Sequence, residues 1–342
     1  MVKYLTKASH FTMTTQFKPA FGLANKHFQT LYSSFFRKAK NLDFDIEKFT
    51  LPDGDFMECY WYDKPLKGSL KPIVILFHGL AGSYKSPYIQ GTMLKLADAG
   101  FSSVVMHFRG CSGVENILPR AYHSGDTGDS SLWIQEVKSR FKKSKLFAIG
   151  YSLGGNMLLK YLGEKGSNSL LDGAISISAP MVLDICANSI NKGFSKIYQK
   201  HLISNLNLPL EKKYEKHDME SIIGLKKEEV KNIKTFWEFD EIYTAKIHGF
   251  KSAKDYYQKS SARQFLKDIQ TPTLVIHSLD DPFMTPEILP NSDEISKYIK
   301  LEISPNGGHV GFIGGTIYNP TFWLEARVVE YFKKLEEQSN DS

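Results

Sequence analysis

Residues 145–162 read KLFAIGYSLGGNMLLKYL, and this stretch decides the architecture. KLFAIGY has the continuous apolar character of a strand buried on both faces, and NMLLKYL that of a helix leaving it. Between them stands Gly150-Tyr151-Ser152-Leu153-Gly154-Gly155. A bare G-x-S-x-G arises by chance in about one chain in nine of this length, so the weight lies in the setting. A sharp strand-to-helix turn is what lifts a serine Oγ above a sheet, where it can attack a substrate. The flanking glycines leave room for that turn. Leu153 N–H, at the start of the helix, is expected to point at a developing oxyanion.

Strand and helix patterns alternate outward from this point, as in a largely parallel sheet of about eight strands with helices on both faces. DFDIEKFTLP and FMECYWYD, joined by Pro52-Asp53-Gly54-Asp55, read as an antiparallel entry hairpin. KPIVILFHG and FSSVVMHF are strands, with a helix between them over about Ser86 to Ala99. LDGAISISAP, PTLVIHSLD and YIKLEISP continue the series, and a helix over roughly Phe322 to Leu335 closes the chain. From about Met181 to Asp268 the rhythm changes to helical pieces, at Ile190 to Leu206 and Leu225 to Phe239, with no buried strand. Some 90 residues are too many for a structureless connection. The expected organisation is an N-terminal extension over 1–41, a core over 42–180 and 269–342, and a helical cap over 181–268.

A serine needs a base to remove its proton, and the base needs a carboxylate to orient it. In this architecture the acid follows a late strand and the histidine follows the last one. His309 lies in Asn306-Gly307-Gly308-His309, directly after IKLEISP, and Asp280 and Asp281 follow TLVIHSL. Asp281 is favoured because Pro282 behind it fixes a turn away from the strand end. His78-Gly79-Leu80-Ala81-Gly82 follows KPIVILF, and Leu80 N–H there is expected to be the second oxyanion donor. His78 reads as a brace for its loop, and His277, inside a strand, as a core or edge residue. Arg109 and Asp126 are placed to pair with each other, and Cys111 reads as a small buried residue. No phosphate-loop pattern is present. The chemistry requires no cofactor and no metal.

These runs together resemble the YheT-like branch of the α/β-hydrolase superfamily, a group of esterases and lipases with phospholipase-like and acyltransferase relatives in eukaryotes. The resemblance spans nearly the whole chain. It includes Phe17-Lys18-Pro19, Asn25-Lys26-His27-Phe28-Gln29-Thr30-Leu31, His78-Gly79-Leu80 and His107-Phe108-Arg109-Gly110-Cys111-Ser112-Gly113. It continues through Tyr122-His123-Ser124-Gly125-Asp126, the Ser152 motif, Asp280-Asp281-Pro282-Phe283-Met284 and Gly307-Gly308-His309-Val310-Gly311-Phe312. The resemblance implies Ser152, Asp281 and His309 as a triad, and cleavage of short- to medium-chain carboxylic esters through an acyl-enzyme. Transfer of the acyl group to an alcohol is the alternative, with a catalytically silent binding module behind it.

Composition narrows the partners. The chain has 342 residues, 43 Lys+Arg against 37 Asp+Glu, and 42% hydrophobic residues. That excludes a disordered chain, and no apolar run approaches the roughly 18 to 20 residues that span a bilayer. Cys59, Cys111 and Cys186 are few, odd in number and far apart, so neither a disulfide framework nor a structural zinc site is expected. A reducing, cytoplasmic setting follows. The segment MVKYLTKASHFTMTTQFKPAFG lacks a continuous apolar stretch, so no signal peptide is expected. The partner is a small-molecule or lipid-like ester, without nucleic acid or a transmembrane segment; transient contact with a membrane surface stays open. The basic excess, dense in and around the cap, reads as a solvated face. Phe236, Trp237, Phe239, Tyr256 and Tyr257 either line an acyl pocket or pack the cap.

Overall fold

Ile73–Phe77 is an uninterrupted run of aliphatic and aromatic side chains, all of them buried, which is what a strand at the centre of a parallel sheet requires. A computed structural model describes residues 17–37 and 39–340; most of the segment read for a signal peptide lies outside them. Its main sheet has eight strands in the order β1-β2-β4-β3-β5-β6-β7-β8. These are β1 (Asp45–Thr50), β2 (Phe56–Tyr62), β3 (Ile73–Phe77), β4 (Ser102–Met106), β5 (Leu146–Tyr151), β6 (Gly173–Ile177), β7 (Thr273–Ser278) and β8 (Ile299–Ser304). β1 and β2 form the antiparallel hairpin and β2 pairs antiparallel with β4; every pairing from β4 through β3 to β8 is parallel. Two short strands, β9 (Ile313–Gly315) and β10 (Pro320–Phe322), pair separately.

The first helix, α1 (Lys26–Phe36), starts where the Asn25 side chain accepts hydrogen bonds from the His27 and Phe28 N–H groups. The core helices are α2 (Pro87–Asp98), α3 (Thr127–Arg140) and α4 (Leu153–Lys165). Trp133, Ile134 and Val137 of α3 and Met157, Leu158 and Leu162 of α4 share one core with Trp61, Ile75 and Met106 on one face of the sheet. Ile89, Met93 and Leu96 of α2 occupy the other face, around Val74, Phe147 and Phe332.

Between β6 and β7 the described chain is helical. It contains α5 (Leu183–Ile190), α6 (Ser195–Lys213), α7 (Met219–Ile223), α8 (Phe236–Phe239), α9 (Ala245–Ile247) and α10 (Ala253–Ser260). The last helix of the chain, α11 (Trp323–Asn340), returns to the core, where Leu324, Val328 and Phe332 are buried. The helical bounds differ from those read in the sequence. α6 continues through Pro209, because Leu210 and Lys213 beyond it are buried. The piece expected over Leu225 to Phe239 divides into a 3-10 turn at Lys227–Asn232 and a helix from Phe236 whose middle turn, Asp240–Thr244, is a π-turn. Ile203, Leu210, Met219, Val230, Phe239 and Tyr243 give these helices a small core of their own.

Candidate active site

β5 delivers Ser152 and α4 carries the chain away from it. Ser152 adopts φ 50° and ψ −118°, a conformation rarely tolerated by a residue with a side chain. Such a backbone costs about 1 to 3 kcal/mol and persists only where its surroundings enforce it. Here Ser152 N–H donates to Ile177 O at 2.8 Å. The turn is also too tight for side chains on either side: a Cβ at Gly150 would lie 2.3 Å from Gly154 O, and one at Gly154 would lie 2.5 Å from Phe77 O. Close packing therefore brings the start of α4 against the end of β3. The loop after β3 adjoins the serine, since a Cβ at Gly79 would lie 3.3 Å from Ser152 Cβ, and neither the Leu80 N–H nor the Leu153 N–H has a hydrogen-bond partner among the described residues. The Leu153 N–H also stands at the electropositive end of α4.

The late loops bring the histidine and the carboxylate to the same point. His309 Nε2 is 2.9 Å from Ser152 Oγ, and His309 Nδ1 is 2.7 Å from Asp281 Oδ2. The other carboxylate oxygen of Asp281 accepts the Phe283 N–H at 2.8 Å, which fixes the carboxylate plane. The Phe283 ring stacks on the imidazole, with centroids 4.1 Å apart and planes at 22°. Asp280, the less favoured neighbour, faces the other way: its Oδ1 accepts the Gly308 N–H at 2.9 Å and Oδ2 accepts from Asn306 Nδ2 at 3.3 Å.

Several supports of the histidine loop escaped sequence reading. Thr30 Oγ1, on α1, accepts the His309 N–H at 2.9 Å. Ser278 Oγ donates to Gly308 O at 2.6 Å, and Ser178 Oγ accepts the Val310 N–H at 3.1 Å. Gln29 is fully buried, donating to Leu23 O and Ile313 O and accepting the Ile313 N–H. α1 is thus built into the loop that carries His309. None of these residues carries a local motif that would have marked it.

Ser152 and His309 line a cavity of about 750 Å³. Leu80 and Leu153 stand on the core side, with Leu183, Ile190, Leu206 and Phe239 among the apolar residues facing them from the cap. Of the five aromatic residues singled out, Phe236, Phe239, Tyr256 and Tyr257 line the cavity and Trp237 does not. The apolar wall is interrupted by Asp240, which accepts from Tyr257 Oη and Thr244 Oγ1, each at 2.7 Å. Burial pushes its carboxyl up to about 6.

Most of the remaining polar candidates have structural partners; the exception is His277, whose Nδ1 is buried without a hydrogen-bond partner among the described residues. His78 is buried, its Nδ1 2.7 Å from Gly79 O and its Nε2 accepting the Phe108 N–H at 3.2 Å; it ties two loops together as expected. His277 is buried within β7. Arg109 does not pair with Asp126. It makes a bidentate pair with Asp129, at 2.7 and 2.8 Å, and also donates to Asp53 and Asp55, whereas Asp126 accepts from Arg120 at 2.7 Å. Asp129 lies about one helical turn beyond Asp126 and shares the Arg109 guanidinium with Asp53 and Asp55 of the hairpin turn. Burial pushes the Cys111 thiol up to about 12, the opposite of what a nucleophile needs.

His123, Asp126 and His248 bring potential ligand atoms within 4.8 Å of one another. Arg120 already holds the carboxylate in that cluster, and its guanidinium opposes a cation.

Comparison with known proteins identifies the fold and the family. A family model described as the alpha/beta hydrolase fold matches residues 72–316. YheT of Escherichia coli (strain K12), designated an esterase, is 39% identical over 326 residues, covering 95% of each chain. The human protein named phospholipase ABHD3 is 25% identical over 319 residues, covering 92% of this chain and 77% of its own. Among solved structures, the Pyrococcus furiosus esterase Pf2001 superposes with a TM-score of 0.53 at 16% identity, over 86% of this chain and 93% of that one. An elbow serine on a mostly parallel eight-stranded sheet, a match to the family model over most of the chain and close similarity to YheT along its length all lead to one assignment: the chain belongs to the YheT-like branch of the α/β-hydrolase fold family.

Proposed function

We propose that the protein is a serine esterase that cleaves short- to medium-chain carboxylic esters through an acyl-enzyme, with Ser152 as nucleophile, His309 as general base and acid, and Asp281 as its orienting carboxylate. The observation that carries this reading is the continuous hydrogen-bonded line from Ser152 Oγ through His309 to Asp281, at 2.9 and 2.7 Å, opening on a largely apolar cavity. Names among its relatives, an esterase and a phospholipase, support the reaction class.

Asp281 accepts the Nδ1–H of His309, which leaves Nε2 free to take the proton from Ser152 Oγ. Oγ then bonds to the ester carbonyl carbon, and the carbonyl electron pair moves onto oxygen, where the Leu80 and Leu153 N–H groups receive it. The tetrahedral intermediate collapses, the C–O bond to the alcohol breaks, and imidazolium Nε2–H protonates the departing oxygen. Water enters, gives its proton to Nε2 and attacks the acyl carbon; collapse returns the proton to Oγ and releases the acid. The strained Ser152 backbone keeps Oγ and the Leu153 N–H on the same side of the reacting carbon. Residues 181–268 serve as the cap over this chemistry.

The test is Ser152→Ala assayed with p-nitrophenyl esters of graded chain length. Loss of kcat by about 10⁶, together with loss of fluorophosphonate labelling, is expected. Retention of activity within tenfold would overturn the assignment.

A further inference from the structure

Two segments that contribute to the cavity wall carry cations and no carboxylate. Residues 17–42 and 185–210 carry eight of the 43 Lys and Arg and none of the 37 Asp and Glu, and residues 303–324 carry no charged side chain. The remaining 35 cations face all 37 carboxylates, so the net positive charge of the chain resides in those two segments. The fold brings them together. His27 Nδ1 is 3.0 Å from Tyr198 Oη, and the His27 ring centroid is 4.4 Å from that of Phe194, so α1 and the first turns of α6 meet. Thr30, Leu31 and Ser33 of the first helix and Tyr198, His201 and Leu202 of the second line the same cavity as Ser152 and His309.

The outer side of this junction is apolar as well as basic. Phe28 is 59% exposed, Phe194 52% and Ile197 59%. Lys26, Lys192, Lys196 and Lys200 are exposed among them, and none has an ion-pair partner among the described residues. Large apolar side chains held in water beside unpaired lysines are the two components of binding to a lipid surface: the rings and aliphatic tips enter the headgroup boundary and the ammonium groups meet phosphate charge. A nucleic acid would use the cations and leave the aliphatic residues stranded. Among the described residues no helix is long and apolar enough to cross a membrane, so attachment here would be peripheral.

We propose that the face formed by α1 and the first turns of α6 docks the protein on an anionic lipid bilayer, with the cavity opening toward the surface from which it draws its ester. The second clause rests on the esterase reading; docking itself does not.

Sedimentation of the full chain with vesicles tests it, using phosphatidylcholine alone or mixed with phosphatidylglycerol, at low and high salt. Binding is expected only to the mixed vesicles and only at low salt. Each lysine close to an anionic surface contributes about fivefold to partitioning, so Lys192→Gln, Lys196→Gln and Lys200→Gln combined should lower it by about 100-fold. Phe194→Ser with Ile197→Ser should also lower it. Both variants should keep wild-type turnover of a water-soluble short-chain ester, which shows that they fold. No binding to mixed vesicles, or equal binding by the triple glutamine variant, would overturn the proposal. So would a dimer in solution that the Phe194→Ser, Ile197→Ser variant dissociates without loss of vesicle binding, since a second copy would then cover the face. Ser152→Ala should sediment like the wild type. If that variant still hydrolysed esters, the esterase assignment would fail while the docking result stood.

Discussion

Replacing Asp281 by asparagine should remove catalysis while leaving the fold intact, and the reason lies in which oxygen each neighbour uses. Asp281 Oδ1 accepts the Phe283 N–H, and Oδ2 receives His309 Nδ1. In the amide, the Phe283 N–H still requires an acceptor, so the carbonyl oxygen takes the Oδ1 position and the NH₂ group faces the imidazole. The NH₂ donates, so Nδ1 must accept, and the ring proton moves to Nε2. Nε2–H then points at Ser152 Oγ and cannot take its proton. A tautomer reversal of this kind lowers kcat by about 10⁴, equivalent to about 5 kcal/mol of transition-state stabilisation. The assay is steady-state hydrolysis of a p-nitrophenyl ester, with KM expected near the wild-type value because the cavity wall is unchanged. Asp280→Asn is the paired control. Its Oδ1 can keep the Gly308 N–H while the contact to Asn306 is lost, so kcat should stay within about tenfold of wild type, in keeping with the loss of one long hydrogen bond to a carboxylate. Activity of Asp281→Asn within tenfold of wild type, or equal damage from the two substitutions, would refute the reasoning.

Three other outcomes concern stability. Arg109→Met leaves the carboxylates of Asp53, Asp55 and Asp129 without their shared cation, and chemical denaturation should show a loss of about 3 to 5 kcal/mol. Burial lowers His78 and His123 to about 3, and His107 and His277 to about 4. The unfolded chain therefore binds more protons than the native one below about 6.5; stability is fully present above that pH and is lost on acidification toward pH 4. A stability curve that stays flat from pH 7 to pH 4.5 would contradict this. Asp240 has the opposite sign. With its carboxyl raised to about 6, its favourable contribution is present below the ordinary carboxylate range near 4 and is lost as pH rises through 6. Asp240→Asn should accordingly match wild type at pH 4 and exceed it at pH 8 by on the order of 2 kcal/mol in the same denaturation assay.

What sequence reading captures here is local or strictly periodic. The parallel strands are legible because β3 to β7 are buried along their whole length and are rich in aliphatic side chains, and the elbow because its strand, turn and helix are contiguous. His309 and Asp281 are legible one step later, since each follows a strand end. Contacts between distant segments are not legible. Thr30 lies 279 residues from the His309 N–H that it accepts, and a threonine in an amphipathic helix gives no sign of such a role. Arg109 bonds to three aspartates from two distant segments, and which aspartate of α3 joins Asp53 and Asp55 is set by how that helix packs beside the β1–β2 hairpin, with Asp126 taken by Arg120 instead. The extent of α6 is hidden for a similar reason. Proline ordinarily ends a helix, and what carries this one past Pro209 is burial of Leu210 and the bonds of Lys213 Nζ to Asn116 Oδ1 and Leu118 O, on a core loop some 95 residues away.

The seat of the histidine loop on α1 bears on when a newly made chain becomes active. α1 is synthesised well before Gly308 to Ile313, since 279 residues separate Thr30 from His309. A Cβ at Gly308 would lie 2.7 Å from Lys26 O, and one at Gly311 would lie 2.3 Å from Gln29 O, so the two segments close on each other almost without clearance. Closure of so long a loop is entropically costly and late. Until it happens the sheet can be assembled and the serine turned, yet the base has no fixed position. Ester turnover would then report completion of this long-range contact, and a chain would carry its nucleophile unarmed until the histidine loop had closed on α1.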